Sequence, residues 1–273
     1  MLSTRQSDQI RGATVALADL DLHYVECGAG RQAIVLLHGY TDSWRSFRPV
    51  LPRLASECRC LAIDGRGHGR SRYAGGDLTP DAFAGDVIEF LDRSGTGSAT
   101  LVGHSMGSFI ARAVALRRPD LVERLILVGS GLSPDNPAVR ELEAQIVRFG
   151  GAVPRPFVEE FQASCVSDRG ALPAGFFDEC VEASLGLPVR VWKGALAGLL
   201  GHDDRGRLSG IARPSLVIGG VEDGIFGRQE QEELARALPG GRLRLYEGCG
   251  HSPHWEQPVR FCEDVLRFLR EPA

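Results

Sequence analysis

Apolar residues change their period along this chain, and the changes divide it into elements. Residues 33–37 read Ala-Ile-Val-Leu-Leu without a polar break, the pattern of a strand covered on both faces. Strands are also predicted at 58–64, 99–103, 124–130, 214–220 and 242–248. Two short strands at 13–17 and 22–27 form a hairpin across Ala18-Asp19-Leu20-Asp21. Between strands the apolar spacing lengthens to the helical period. Helices are predicted over about 43–55, from Thr79-Pro80-Asp81 onward, from Met106, over about 228–238 and over 255–269. Thr79 can cap its helix, Pro80 suits the first helical position, and Phe83, Val87, Phe90 and Leu91 share one face.

Strand and helix alternate as in a parallel sheet with helices on both faces. The alternation stops at Gly131 and resumes at 213. Only helical patterns lie between, in NPAVRELEAQIVRFG, PRPFVEEFQASCV and LPVRVWKGALAGLL. The prediction is an α/β fold with a mostly parallel central sheet of about eight strands. Residues 1–130 and 213–273 form this core, and residues 131–212 form a helical cap.

Composition narrows the class. A chain of 273 residues supports one large core, and 43% hydrophobic with 24% charged residues is ordinary for a globular protein. The net charge of −4 supplies no basic field for nucleic acid or anionic lipid. Lys193 is the single lysine, which leaves little scope for Schiff-base chemistry. No run approaches about eighteen consecutive apolar residues, so no membrane span is expected. MLSTRQSDQIRGATVAL lacks the apolar segment of a signal peptide. Seven scattered cysteines read as reduced thiols in a cytoplasmic protein. Cys58 and Cys60 share a strand face, but no His/Cys cluster accompanies them to suggest a metal.

In an open parallel sheet, ligands bind beyond the carboxyl ends of the strands. The residues just past the predicted strands are His38-Gly39-Tyr40, Asp64 with the loop GRGHGRS, Ser105, Asp223 and His251. Ser105 stands in Gly-His-Ser-Met-Gly, where a strand becomes a helix. Two glycines at that spacing suggest a tight, strained turn that would hold the hydroxyl out as a nucleophile. A nucleophile, an acid and a histidine thus follow one another at one sheet edge.

With HGY at 38–40, GHSMG at 103–107, GGVEDG at 219–224 and GHSPHWEQP at 250–258, the chain resembles the α/β-hydrolase superfamily over its whole length. The resemblance implies a catalytic Ser105, a base His251 and an orienting acid Asp223, with Glu222 beside it as an alternative acid. It implies an oxyanion hole formed by the backbone N–H groups of Tyr40 and Met106. His38, Gly39, Trp44, Phe149, Phe161 and Trp192 are candidate pocket residues, and Phe157, Phe176 and Phe177 further cap aromatics. His104 reads as a packed core histidine, His254 as packing or as a metal partner of His251, His68 and Arg66 as loop structure, and 202–204 as an exposed cap loop.

The expected activity is hydrolysis of a small, rather apolar carboxylic ester or lactone through an acyl-enzyme. Serine at the turn disfavours dehalogenases and epoxide hydrolases, which carry aspartate there. Carbon–carbon bond hydrolysis by the same triad stays open, as does a cyclase or other non-hydrolytic role on this fold. No cofactor or metal is expected. The partner is a small-molecule substrate, with no nucleic acid and no membrane, in a monomer or homodimer.

Overall fold

The computed structural model describes residues 10–272. The first nine residues of the amino-terminal stretch read above lie outside them. Nine strands form one sheet among the described residues: β1 (Arg11–Ala16), β2 (Leu20–Cys27), β3 (Ala33–Leu37), β4 (Arg59–Ile63), β5 (Arg72–Tyr73), β6 (Ala99–His104), β7 (Val122–Val128), β8 (Ser215–Gly220) and β9 (Gly241–Tyr246). Their spatial order is β1-β2-β4-β3-β6-β7-β8-β9, with the two-residue β5 against β2. From β4 to β9 every neighbour is parallel, and β1, β2 and β5 are antiparallel.

Uninterrupted apolar runs become central strands because both faces are covered. Val35, Leu37, Leu101, Leu125 and Leu127 face one core layer. Their chain neighbours Ile34, Leu36, Val102, Ile126 and Val128 face the other. Helices α2 (Pro80–Arg93) and α3 (Met106–Arg117) cover the first layer, while α1 (Leu51–Leu54) and α10 (Pro258–Arg270) cover the second. Thr79 caps α2 as anticipated, its Oγ1 accepting from the Ala82 N–H at 3.2 Å.

Between β7 and β8 lie α4 (Pro137–Ile146), α5 (Arg155–Ser164), α6 (Phe176–Leu185) and α7 (Val189–Leu200). α4 packs on α7 and α5 on α6. α8 (Arg228–Ala237) returns to the sheet and α9 (Pro253–Glu256) follows β9. Two predicted helices are broken. Residues 43–55 form a 3-10 turn at Trp44–Phe47 and then the four-residue α1, because Pro52 suits a helix start and cannot continue one. Pro258 likewise divides the last helix into α9 and α10. The seven cysteines are free and buried, with Cys60 opposite Cys27 across β2 and β4. No helix among the described residues is long and apolar enough to cross a membrane.

Candidate active site

One residue makes the whole turn between β6 and α3. Ser105 has φ 50° and ψ −117°, the one positive φ outside glycine among the described residues. Its N–H donates to the Val128 carbonyl at 2.9 Å, and its carbonyl accepts from the Ser108 N–H at 2.8 Å and Ser108 Oγ at 2.6 Å. The flanking glycines do not take up the strain, contrary to the expectation from the motif, for neither has a positive φ. They permit close approach. A Cβ on Gly103 would lie 2.2 Å from the Gly107 carbonyl oxygen, and one on Gly107 would lie 2.1 Å from that of Leu37.

Asp223 follows β8 and His251 follows β9, so adjacent strands deliver the pair. Asp223 Oδ2 lies 3.0 Å from His251 Nδ1. Asp223 Oδ1 accepts from the N–H groups of Ile225 (2.8 Å) and Phe226 (3.0 Å). Burial works to raise the Asp223 pKa, but His251 and these two N–H groups outweigh it, and the carboxyl stays below its ordinary range. An ionised Asp223 keeps the proton on His251 Nδ1 and leaves Nε2 free as a base. Glu222 is turned away, accepting from the Cys249 N–H at 2.9 Å.

The Met106 N–H opens α3 and so has no partner within the helix. Tyr40 is held at both its backbone and its side chain. His68 Nε2 lies 2.8 Å from its carbonyl, and its hydroxyl donates to the Trp192 carbonyl.

Ser105 and His251 line one cavity with Gly39, Phe161, Leu196 and Trp255. Next to it, between α4 and α5, lies an outer cleft. Val139, Leu142, Phe161 and Ile225 line both, so one layer of side chains parts them.

Of the candidate pocket residues, Gly39 and Phe161 line the cavity and four do not. His38 clips two loops together, with Nδ1 2.7 Å from the Gly39 carbonyl and Nε2 accepting from the Gly65 N–H at 2.9 Å. Trp44 lies in the opposite layer, its N–H held by Asp64 Oδ1 at 2.8 Å. Phe149 packs on Phe157, ring centres 5.0 Å apart. Trp192 is fully buried behind the cavity, edge-on to Tyr40 and Phe161. Residues 202–204 are not the exposed loop expected: Asp204 is buried and holds the buried Arg112 through two contacts of 2.8 and 2.5 Å. Arg66 is likewise held by Asp86 at 2.7 and 2.6 Å. His254 packs between His104 and Phe47, and no group of three metal-ligating side chains is assembled among the described residues.

Four residues with no part in the sequence reading belong to the site. Asp42 and Gln162 line the cavity. Glu256 receives the N–H groups of Gly250 (2.7 Å), Ser167 (2.8 Å) and Asp168 (3.0 Å), tying the His251 loop to the segment after α5. At Gly129 (φ 51°) a Cβ would lie 2.3 Å from the His251 carbonyl oxygen. Glu256 stood in the motif at 250–258 and Gln162 in the helical stretch PRPFVEEFQASCV, neither with a role of its own. The others act through contacts far apart in sequence.

Residues 32–258 match the family model for the alpha/beta hydrolase fold, and the chain belongs to that family. It is 31% identical over 269 residues to the 2-hydroxy-6-oxononadienedioate/2-hydroxy-6-oxononatrienedioate hydrolase of Burkholderia vietnamiensis, covering 92% of each chain. It is 30% identical to a putative carbamate hydrolase, RutD, of Rhizobium rhizogenes, over 91% of this chain and 98% of that one. Among solved structures, a thermophilic esterase from Thermogutta terrifontis superposes with a TM-score of 0.81 at 26% identity, over 96% of this chain and 98% of that one. The chain is thus an enzyme of the α/β-hydrolase family, and its relatives are hydrolases.

Proposed function

We propose that this enzyme hydrolyses small, rather apolar carboxylic esters or lactones through an acyl-enzyme on Ser105. The observation that carries this reading is the charge of the lining. Ser105 and His251 share their cavity with Val139, Leu142, Leu196 and Phe226, and neither a lysine nor an arginine lines it or the outer cleft. The charged side chains there are acidic: Asp42 inside, Glu141 and Glu160 at the cleft. The relative's dienedioate carries two carboxylates, which this lining has no cation to receive. A neutral ester meets no such repulsion.

Ser105 Oγ attacks the carbonyl carbon while His251 Nε2 takes its proton. The Tyr40 and Met106 N–H groups receive the oxyanion, aided by the positive end of α3. The tetrahedral intermediate collapses, and His251 returns the proton to the departing alcohol oxygen. Water then repeats the sequence on the acyl-enzyme, freeing the acid and Ser105. Asp223 holds the imidazole in register throughout. Helices α4 to α7 act as the cap that shapes the pocket.

A panel of esters, lactones, thioesters and vinylogous diketo acids tests the reading. Neutral esters or lactones should be turned over, and an organophosphorus reagent should label wild type once, at Ser105. Ser105→Ala should fold, resist labelling and lose several orders of magnitude in kcat. Turnover of the diketo acids alone would establish carbon–carbon cleavage instead.

A further inference from the structure

One corner of the cavity is polar, and its side-chain hydrogen bonds leave a buried acceptor over. Ser184 Oγ donates to the Thr41 carbonyl at 3.2 Å. Thr41 Oγ1, 2.8 Å from Ser184 Oγ, donates to it in turn. Gln162 Nε2 lies 2.9 Å from Ser184 Oγ and 3.4 Å from both Thr41 Oγ1 and Asp42 Oδ1. This orientation sets the amide hydrogens, not the amide oxygen, against the Asp42 carboxylate. Gln162 Oε1 is then left without a partner, in a side chain only 1% exposed.

His104 stands on the other side of the Asp42 carboxylate. Its Nε2 lies 3.2 Å from the His251 carbonyl and 3.4 Å from Ser252 Oγ. Burial holds the pKa of His104 below its ordinary value, and its Nδ1 has no hydrogen-bond partner. Nδ1 faces Asp42 Oδ2 at 3.8 Å. Burial would raise the Asp42 pKa, but His104, His38 and Gln162 outweigh it and favour the carboxylate. Gly39 keeps this space open, since a Cβ there would lie 2.8 Å from His104 Nδ1 and 3.0 Å from Asp42 Oδ2. Gly39, Thr41, Asp42, His104 and Gln162 all line the cavity that contains Ser105.

A buried acceptor without a partner costs about 1–3 kcal/mol, and more when charged. The Gln162 oxygen and the Asp42 carboxylate, both on the cavity wall, suit a ligand that brings a donor of its own. We propose that this corner is a subsite for a hydrogen-bond donor on the substrate, an O–H or N–H group carried close to the scissile carbonyl. Closeness follows from Asp42 standing two residues beyond Tyr40, whose N–H faces the oxyanion in the reading above. The proposal deepens that reading and rests on it for the reaction, while the donor preference is a separate property of the cavity.

The test compares kcat/KM for ethyl butanoate with ethyl 2-hydroxybutanoate, ethyl 3-hydroxybutanoate and ethyl 2-aminobutanoate. At least one donor-bearing ester should exceed ethyl butanoate by about tenfold or more. The hydroxyl and amino arms identify the donor. Asp42→Asn and Gln162→Met should each bring that ratio toward one, with folding checked by thermal melts. Because Gln162→Met keeps the carboxylate and Asp42→Asn keeps the shape, one stands if the other does not fold. Calorimetric binding of the same esters to Ser105→Ala separates the two claims. A donor preference in binding without turnover in wild type would sink ester hydrolysis and leave the subsite standing. Equal binding and equal turnover of all four esters, or a preference that survives both substitutions, would overturn the subsite.

Discussion

Ser105 carries backbone strain that a hydroxyl alone does not require. A positive φ on a residue with a Cβ costs on the order of 1–3 kcal/mol at such sites. Ser105→Gly should therefore raise the melting temperature while abolishing activity, and Ser105→Ala should leave stability near wild type. A Ser105→Gly variant that melts lower than Ser105→Ala would show that the turn is relaxed. Gly103 and Gly107 face a different constraint, because a Cβ at either would meet backbone at 2.2 and 2.1 Å. Backbone cannot rotate away, so Gly103→Ala or Gly107→Ala should prevent soluble expression or cost several kcal/mol, read by urea melts.

At the level of elements, the contact between α3 and the loop after α7 is the most exposed to substitution. Arg112 and Asp204 are both within 1% of complete burial and satisfy one another through two hydrogen bonds, with the Gly131 carbonyl as a third partner of the arginine. Removing one member strands the other, at a cost of about 3–5 kcal/mol. Asp204→Ala should show this in chemical denaturation, whereas Asp203→Ala, on an exposed neighbour, should cost under about 1 kcal/mol. Phe161 sits on α5 in the layer that parts the cavity from the outer cleft. Phe161→Ala should join the two spaces and shift the preferred acyl chain by two or more carbons, measured as kcat/KM over a series of straight-chain esters. An unchanged chain-length profile would mean that this layer does not limit the substrate.

For the molecule as a whole, acid stability combines two sets of buried groups. Burial, with the repulsion of His38 added, holds His68 down at about 4, and burial likewise depresses His104 and His254. Unfolded histidine binds its proton near pH 6.5, so the unfolded chain gains protons that the folded one refuses. Stability should therefore fall as pH drops from about 6.5 toward 4, before the carboxylates titrate. Asp64, Asp204 and Asp223 have lowered pKa values, their ion pairs and N–H donors outweighing burial. Their contribution is present above about pH 4 and is lost below it as they take protons in the folded state. Melting temperature against pH should show two descending limbs, and His68→Gln should flatten the upper one. A single fall below pH 4, with a flat profile above it, would contradict this.

What the sequence determined by itself is what local pattern can encode. Uninterrupted runs such as Ile34 to Leu37 specify strands buried on both faces, and their order with the helices specifies a parallel sheet. Residues at the strand ends are then brought to one edge by topology, which is why Ser105, Asp223 and His251 could be named as candidates before any distance was known. Prolines 52 and 258 are visible in the chain, but whether each ends a helix or begins the next depends on what covers it. Tertiary structure alone decided the rest. Trp192 and Phe161 have similar aromatic character and both lie on helices between β7 and β8, yet one is walled off by the other and only Phe161 meets the cavity. Asp42, Gln162 and His104 come from three segments, and the Gln162 oxygen is left without a donor only where those segments meet. A side chain's unmet hydrogen bonds depend on every group that folding brings against it, and no local spacing records them.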